Sequence, residues 1–190
     1  MKGFCLSGEG KARITTKENR SVARYESLFD TNKGKFLFTV EVPGKGEELL
    51  EVTLPESIDE NAKAQGAFLQ NLDLKSRKNI SQFIHKLSTL LEIHRGLNFD
   101  KLELSCQKKN DSGICFRRDE AILTWRTESD KLHVLIPGKG SNLNLLGENF
   151  AEGYFQKVTM EFREGMQQLV QLKIELFLTS CKQRSKSKKT

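Results

Sequence analysis

The stretch that decides the fold is Lys35–Leu54, with the sequence KFLFTVEV-PGKG-EELLEVTL. Apolar residues alternate with other residues in both halves, which is the period of a β-strand. They are Phe36, Phe38, Val40 and Val42 in the first half, and Leu50, Val52 and Leu54 in the second. Pro43–Gly46 between them is a turn sequence, so the stretch is predicted to form a β-hairpin.

The same hairpin signal recurs later in the chain. Val40–Gly46 (VEVPGKG) and Val134–Gly140 (VLIPGKG) are identical at five of seven positions. Further strands are predicted around both copies, at 11–17 and 22–29, and at 101–107, 114–118, 121–127, 131–137 and 142–146. The pattern favours an internal duplication.

A helix is predicted after each copy. Apolar residues recur at helical spacing between Ile80 and Leu91, with Asn79 as N-cap and Gly96 as the C-terminal stop. The second helix is predicted at about 148–181, because Tyr154, Val158 and Phe162 continue one stripe. Its second half is apolar nearly all round, which predicts deep burial or an oligomer interface.

The fold class expected is therefore α+β, with two repeated units of antiparallel strands, each followed by a helix. One globular domain is expected at 1–181, built of units at about 10–96 and 100–181. The segment 55–79 is an insertion in this scheme, and 182–190 is a disordered basic tail that either raises solubility or binds phosphates.

The positive charge is concentrated rather than spread over the chain. There are 31 Lys and Arg against 25 Asp and Glu, a net charge of +6, and five of the cations lie in the tail. Residues 1–24 carry a net +4 and residues 30–60 a net −5. Any nucleic-acid surface must then be local. No apolar stretch is long enough to cross a membrane.

The four cysteines form no CxxC pair and the three histidines lack zinc-ligand spacing. Pairing Cys106 with Cys115 would place Leu104 opposite Arg117, which is a poor core pairing. We therefore expect reduced thiols. The first residues also lack the apolar core of a secretory signal. An intracellular protein (cytoplasmic, nuclear or nucleoid-associated) is expected, without metal or cofactor.

The chain resembles the superfamily of single-stranded nucleic-acid-binding proteins that includes PUR repeats and Whirly proteins. Three features are similar to a PUR repeat: Tyr25, the run Lys33-Gly34-Lys35-Phe36, and the helix motif Phe83-Ile84-His85-Lys86-Leu87. The similarity is specific over about residues 22–54. Gly10-Lys11-Ala12-Arg13-Ile14 is similar to a Whirly motif. The resemblance implies strand-face aromatics that stack on bases, and Lys and Arg side chains that hold phosphates.

Eight residues are candidates for binding single-stranded RNA or DNA, and some have structural alternatives. They are Lys11, Arg13, Tyr25, Lys33, Lys35, Arg117, Arg118 and Arg126. Lys33 and Lys35 equally suit a charged loop and an edge strand. A tyrosine such as Tyr25 is more often at the edge of a core, and Arg117 and Arg118 are more often solvated surface.

No convergent acid, base or nucleophile points to an enzyme. The function predicted is non-catalytic binding of single-stranded nucleic acid by an oligomer. The alternative is an adaptor or chaperone-like module without nucleic-acid binding. In either case, self-association is expected through the helix at about 148–181.

Overall fold

A computed structural model of the chain describes residues 3–17, 20–42, 44, 46–54, 63–65, 74–95, 104–138, 140–165 and 169–182. Strands β1–β5 span Gly8–Thr16, Arg20–Asp30, Lys35–Val42, Gly46–Thr53 and Lys63–Gln65. Helix α1 is Leu74–Arg95. Strands β6–β12 span Leu104–Lys109, Ser112–Arg117, Glu120–Glu128, Lys131–Ile136, Ser141–Ala151, Tyr154–Glu164 and Leu169–Cys181.

All twelve strands belong to one sheet in the order β5-β4-β3-β2-β1-β12-β11-β10-β9-β8-β7-β6. Each pair is antiparallel, and the pairing of β1 with β12 joins the two meanders. Gly10 lies at an irregularity in that pairing, where an added Cβ would lie 2.0 Å from the carbonyl oxygen of Phe177. A side chain at this position would therefore force the two strands apart.

Helix α1 lies against one side of the sheet, which we call the inner face. Its Phe83 ring meets the Phe162 ring of β11 edge-on at 6.4 Å. Lys86 Nζ donates a hydrogen bond to the Pro137 carbonyl at 3.0 Å. The main core forms between the helix and this face, and its fully buried side chains include Leu91, Leu123, Leu143, Val52 and Phe162. The opposite side is the outer face.

The second predicted helix, at about 148–181, is wrong. This segment contains the end of β10, the turn at Glu152 and Gly153, and strands β11 and β12. Tyr154, Val158 and Phe162 are four residues apart, a spacing that keeps side chains on one face of a strand as well as of a helix. In β12, successive side chains alternate between the faces as in a strand: Ile174 lies on the inner face and Glu175 on the outer face.

The predicted fold class is corrected accordingly. The protein is a twelve-stranded antiparallel sheet with one helix in the described residues, and not two units that each end in a helix. Both PGKG segments do connect hairpin strands, β3 to β4 and β9 to β10. A turn signal was therefore shared without a shared architecture. The helix that was predicted to form the oligomer interface is replaced by strands. Self-association itself stays a prediction.

The first predicted helix is confirmed, although it begins at Leu74 rather than after Asn79. The strands predicted on either side of it are also present. Most of the 55–79 insertion, the Gly96 stop and the tail from 183 onward lie outside the described residues. The role predicted for the tail therefore stays a prediction.

The expectation of reduced thiols is wrong. Cys106 and Cys115 are opposite each other in the β6–β7 register and form a disulfide. Leu104 does pair with Arg117, but Arg117 reaches an acid on α1 instead of entering an apolar core. A second disulfide joins Cys5 to Cys181, beside the β1–β12 junction. An intracellular location loses the support of the thiols, because disulfides persist mainly in oxidising compartments.

Candidate functional site

An apolar cavity lies between α1 and the inner face. The helix contributes Phe83, Leu87 and Leu90, one turn apart, which points them to the same side. The sheet contributes the inward residues of β3, β4 and β12, together with residues of β1, β10 and β11. They include Phe36, Phe38, Val40, Leu50, Leu172, Ile174 and Leu176.

The cavity has a volume of ≈ 180 Å³ and its wall is almost entirely hydrocarbon. Native interiors rarely leave voids larger than a water molecule. An engineered cavity of about 150 Å³ with a similar lining in another protein stays dry and binds benzene. This space is therefore large enough for a ligand of several carbon atoms, and its wall suits an apolar one.

One acid interrupts the wall. Glu48 of β4 is opposite Val40 of β3 in the register, which places it on the inner face beside Leu50. Glu48 is half-buried, and its Oε2 atom is enclosed with no hydrogen-bond partner in the described part of the chain. The alternation of β4 already contained this signal, since Glu48 is in phase with Leu50, Val52 and Leu54.

The outer face carries many charged side chains, most of which are paired across strands. Arg13 reaches Glu175 at 3.3 Å, and Lys157 reaches Glu148 at 2.7 Å. A hydrogen bond from Lys157 lowers the pKa of Glu148 below its usual value. Similar contacts join Arg163 and Lys173 to Glu161, and Lys173 to Glu175. The central outer face is thus a ladder of ion pairs instead of a basic stripe.

Tyr25 is the aromatic residue predicted to stack on a base, and it is buried on the inner face at 4 % exposure. Its ring stacks on Phe38 at 5.5 Å, beside the small residues Ala12 and Ala23. Burial raises the pKa of its phenol above the usual value. The enclosed ring matches the alternative interpretation of the sequence, in which Tyr25 lies at the edge of the core.

Four of the predicted cations take part in ion pairs. Arg13 pairs with Glu175 and also lies over the Phe177 ring at 5.4 Å. Lys35 donates to Glu51 at 3.0 Å and thereby lowers the pKa of that carboxyl. Arg126 contacts Glu128 at 3.0 Å, where both side chains are exposed.

Arg117 is the fourth, and it lies on the inner side. Its guanidinium donates to Glu92 of α1 at 2.6 Å, and the Glu92 side chain is only 4 % exposed. This contact fixes the helix to β7. The position of Arg117 therefore matches a structural role better than the solvated surface or phosphate path considered from the sequence.

The three remaining candidates are exposed. Lys33 lies in the β2–β3 turn, where Asp30 accepts its backbone N–H, and Arg118 lies in the β7–β8 turn at φ 48°. Lys11 lies on the outer face of β1, directly opposite Arg24 of β2. Lys35 on β3 and Arg126 on β8 are seven strands apart, about 34 Å across a flat sheet. The predicted residues thus do not form one site.

The described part of the chain offers neither a metal site nor a membrane-spanning helix. No three His, Cys, Asp or Glu side chains there come close enough to hold a metal ion. No described helix is both long and apolar enough to cross a membrane.

No protein-family model matches the chain, and no curated protein is significantly similar to it. The resemblance to PUR and Whirly proteins stays a prediction, specific over residues 22–54, and the repeated architecture predicted from the sequence is corrected above.

Proposed function

We propose that this protein binds a small apolar ligand, without catalysis, in the cavity between α1 and the inner face. The observation that carries the proposal is the hydrocarbon lining of a partly open space of ≈ 180 Å³. Each Å² of apolar wall that this space leaves in contact with water costs about 25 cal/mol relative to burial. A ligand that fills it would recover much of that free energy.

The test is calorimetric titration with 1-hexanol, whose chain is short enough for the cavity. Because the hexyl chain buries only a few methylene groups, binding is expected to be weak, with a Kd of about 1 mM. The absence of saturable binding at millimolar concentrations would refute the proposal.

A cavity-filling variant gives the site-specific check. Leu50→Phe adds volume at the half-buried rim of the wall and is expected to weaken 1-hexanol binding about tenfold, because the ring occupies ligand space. Leu37→Phe is the matched control, since Leu37 lies on the outer face of β3. Equal binding by the two variants would place the ligand elsewhere.

Single-stranded nucleic acid on the outer face is our second proposal. Its support is the pair Lys11 and Arg24, two exposed cations in direct register, with no ion pair to an acid in the described residues. Adjacent cations of this kind suit phosphate contacts. The paired charges around them predict few such contacts and a shallow dependence on salt.

Fluorescence anisotropy with labelled oligo-dT and oligo-U at low salt tests this second proposal. Lys11→Glu/Arg24→Glu should abolish binding by placing two like charges against the phosphates. Lys108→Glu/Lys109→Glu makes the same change of charge at the exposed end of edge strand β6 and should bind like the unchanged protein. No binding at low salt, or equal loss in both variants, would contradict it.

A further inference from the structure

We propose that Glu48 selects the cavity's ligand, which is a small apolar amine whose ammonium group pairs with the Glu48 carboxylate while its hydrocarbon part fills the cavity. This inference rests on the proposed function and adds the chemical class of the ligand. It comes from the contrast between the carboxylate of Glu48 and the apolar side chains that surround it.

The position of Glu48 makes its charge unusual. The neighbours on its face of the sheet are apolar: Val40 is opposite in the register, and Leu50 follows on the same strand. The residue as a whole is half-buried, but its Oε2 atom is enclosed and has no hydrogen-bond partner among the described residues. Leaving an enclosed acceptor unpaired is unfavourable, and a donor on a ligand would relieve it.

Several other acids with low exposure are supplied with a cation from the chain itself. Glu92 has Arg117 at 2.6 Å on the helix side, and Glu175 has Arg13 at 3.3 Å on the outer face. Glu51, Glu148 and Glu161 likewise each have a lysine or arginine. For Glu48 no such cation exists in the described residues, and the proposal assigns the complementary charge to the ligand.

The two parts of the site together define the ligand class. The hydrocarbon wall accepts a chain or ring of several carbon atoms, and the single carboxylate accepts a hydrogen bond from a cationic head. Charge-assisted hydrogen bonds are stronger than neutral ones. A ligand with a carboxylate head would instead meet a like charge. Amines are therefore favoured over alcohols, and alcohols over acids.

Three probes with the same hydrocarbon part isolate the head group: 1-hexylamine, 1-hexanol and hexanoate, titrated by calorimetry at neutral pH. Because the apolar contacts are equal, differences between them report the contact with Glu48. We expect 1-hexylamine to bind about tenfold tighter than 1-hexanol, and hexanoate to bind weakest.

Glu48→Gln should remove the amine preference and retain 1-hexanol binding, because the amide keeps an acceptor and loses the charge. Glu47→Gln is the matched control, as the adjacent exposed residue on the opposite face of β4. It should keep the preference.

The inference is overturned if 1-hexylamine binds no tighter than 1-hexanol, or if Glu48→Gln keeps the preference. In those cases binding of 1-hexanol still supports the apolar site. If none of the three probes binds, the proposed function and this inference fail together. Circular dichroism of each variant ensures that folded proteins are compared.

Discussion

The two faces of the sheet treat charged groups differently, although they alternate along the same strands. On the outer face, Glu161 forms ion pairs with both Arg163 and Lys173, and solvent lies close to these groups. On the inner side, Glu92 is enclosed and depends on Arg117 alone among the ion pairs of the described residues. Exposed pairs typically contribute less than 1 kcal/mol, whereas breaking an enclosed pair is costly.

This difference also explains why the net charge of +6 is a poor guide to function. The cations of the outer face are largely cancelled by neighbouring acids, and Arg117 is used to hold the helix. What distinguishes the inner face is one acid, Glu48, that forms no ion pair within the described residues. The informative charge is thus the exception on an apolar face.

The largest expected effect is the loss of the enclosed pair. Arg117→Ala leaves the Glu92 carboxylate buried without its cation, so the free energy of unfolding should fall by about 3–5 kcal/mol. Urea denaturation measures it. Arg126→Ala, which removes an exposed partner of Glu128 on the outer face, is the control and should cost about 0.5 kcal/mol or less. Equal losses would mean that the faces do not differ as described.

A second comparison uses adjacent leucines of β10 that point to opposite faces. Leu145 is buried at 3 % exposure in the cavity wall, and Leu145→Ala should lower the free energy of unfolding by about 2–5 kcal/mol. Leu146 is half-buried on the outer face, opposite Thr159, and its replacement by alanine should cost about 1 kcal/mol. Thermal or urea unfolding of both variants gives the ratio, and a larger loss at Leu146 would contradict the assignment of the faces.

The smallest effect concerns pH. Lys86 is buried on α1, and desolvation lowers the pKa of its ammonium group below the usual 10.5. Between the lowered pKa and 10.5 the unfolded chain binds more protons, so the burial penalty is relieved and stability gains as pH rises through this window. Below the window the penalty is constant.

Lys86→Met should remove this contribution. The difference in unfolding free energy between the unchanged protein and the variant, followed from neutral to alkaline pH, should shift in favour of the unchanged protein. Lys35→Met, which alters an exposed lysine, controls for other titrating groups. A difference that stays flat or moves in the opposite direction would show that Lys86 is not desolvated.

Much of the sheet was predictable because its signals are local. The alternation in Lys35–Val42 and the PGKG turn specify a hairpin with little help from other residues. The strands in segment 148–181 were not predictable, because residues four apart share a face in both helices and strands. In addition, β12 lies between β1 and β11 in the sheet, and most of its side chains on both faces are half-buried. An apolar pattern on all sides reports burial, and does not say which kind of element is buried.

The site was less predictable than the fold. The outward direction of Lys35 and the enclosure of a strand tyrosine follow from alternation, but ion-pair partners such as Glu175 for Arg13 are 162 residues away along the chain. The disulfide between Cys106 and Cys115 was rejected because Arg117 was judged only against its strand neighbour. The acid that compensates it lies on α1.

The sequence by itself determined the hairpin of β3 and β4, the first helix and the phase of strands such as β3, β4 and β9, because turn chemistry and side-chain alternation act over a few residues. Only the tertiary structure decided that β1 and β12 join the meanders, that both cysteine pairs meet, and that α1 leaves a cavity beside Glu48. These depend on contacts between distant segments, and no local pattern encodes which distant segment will supply the partner.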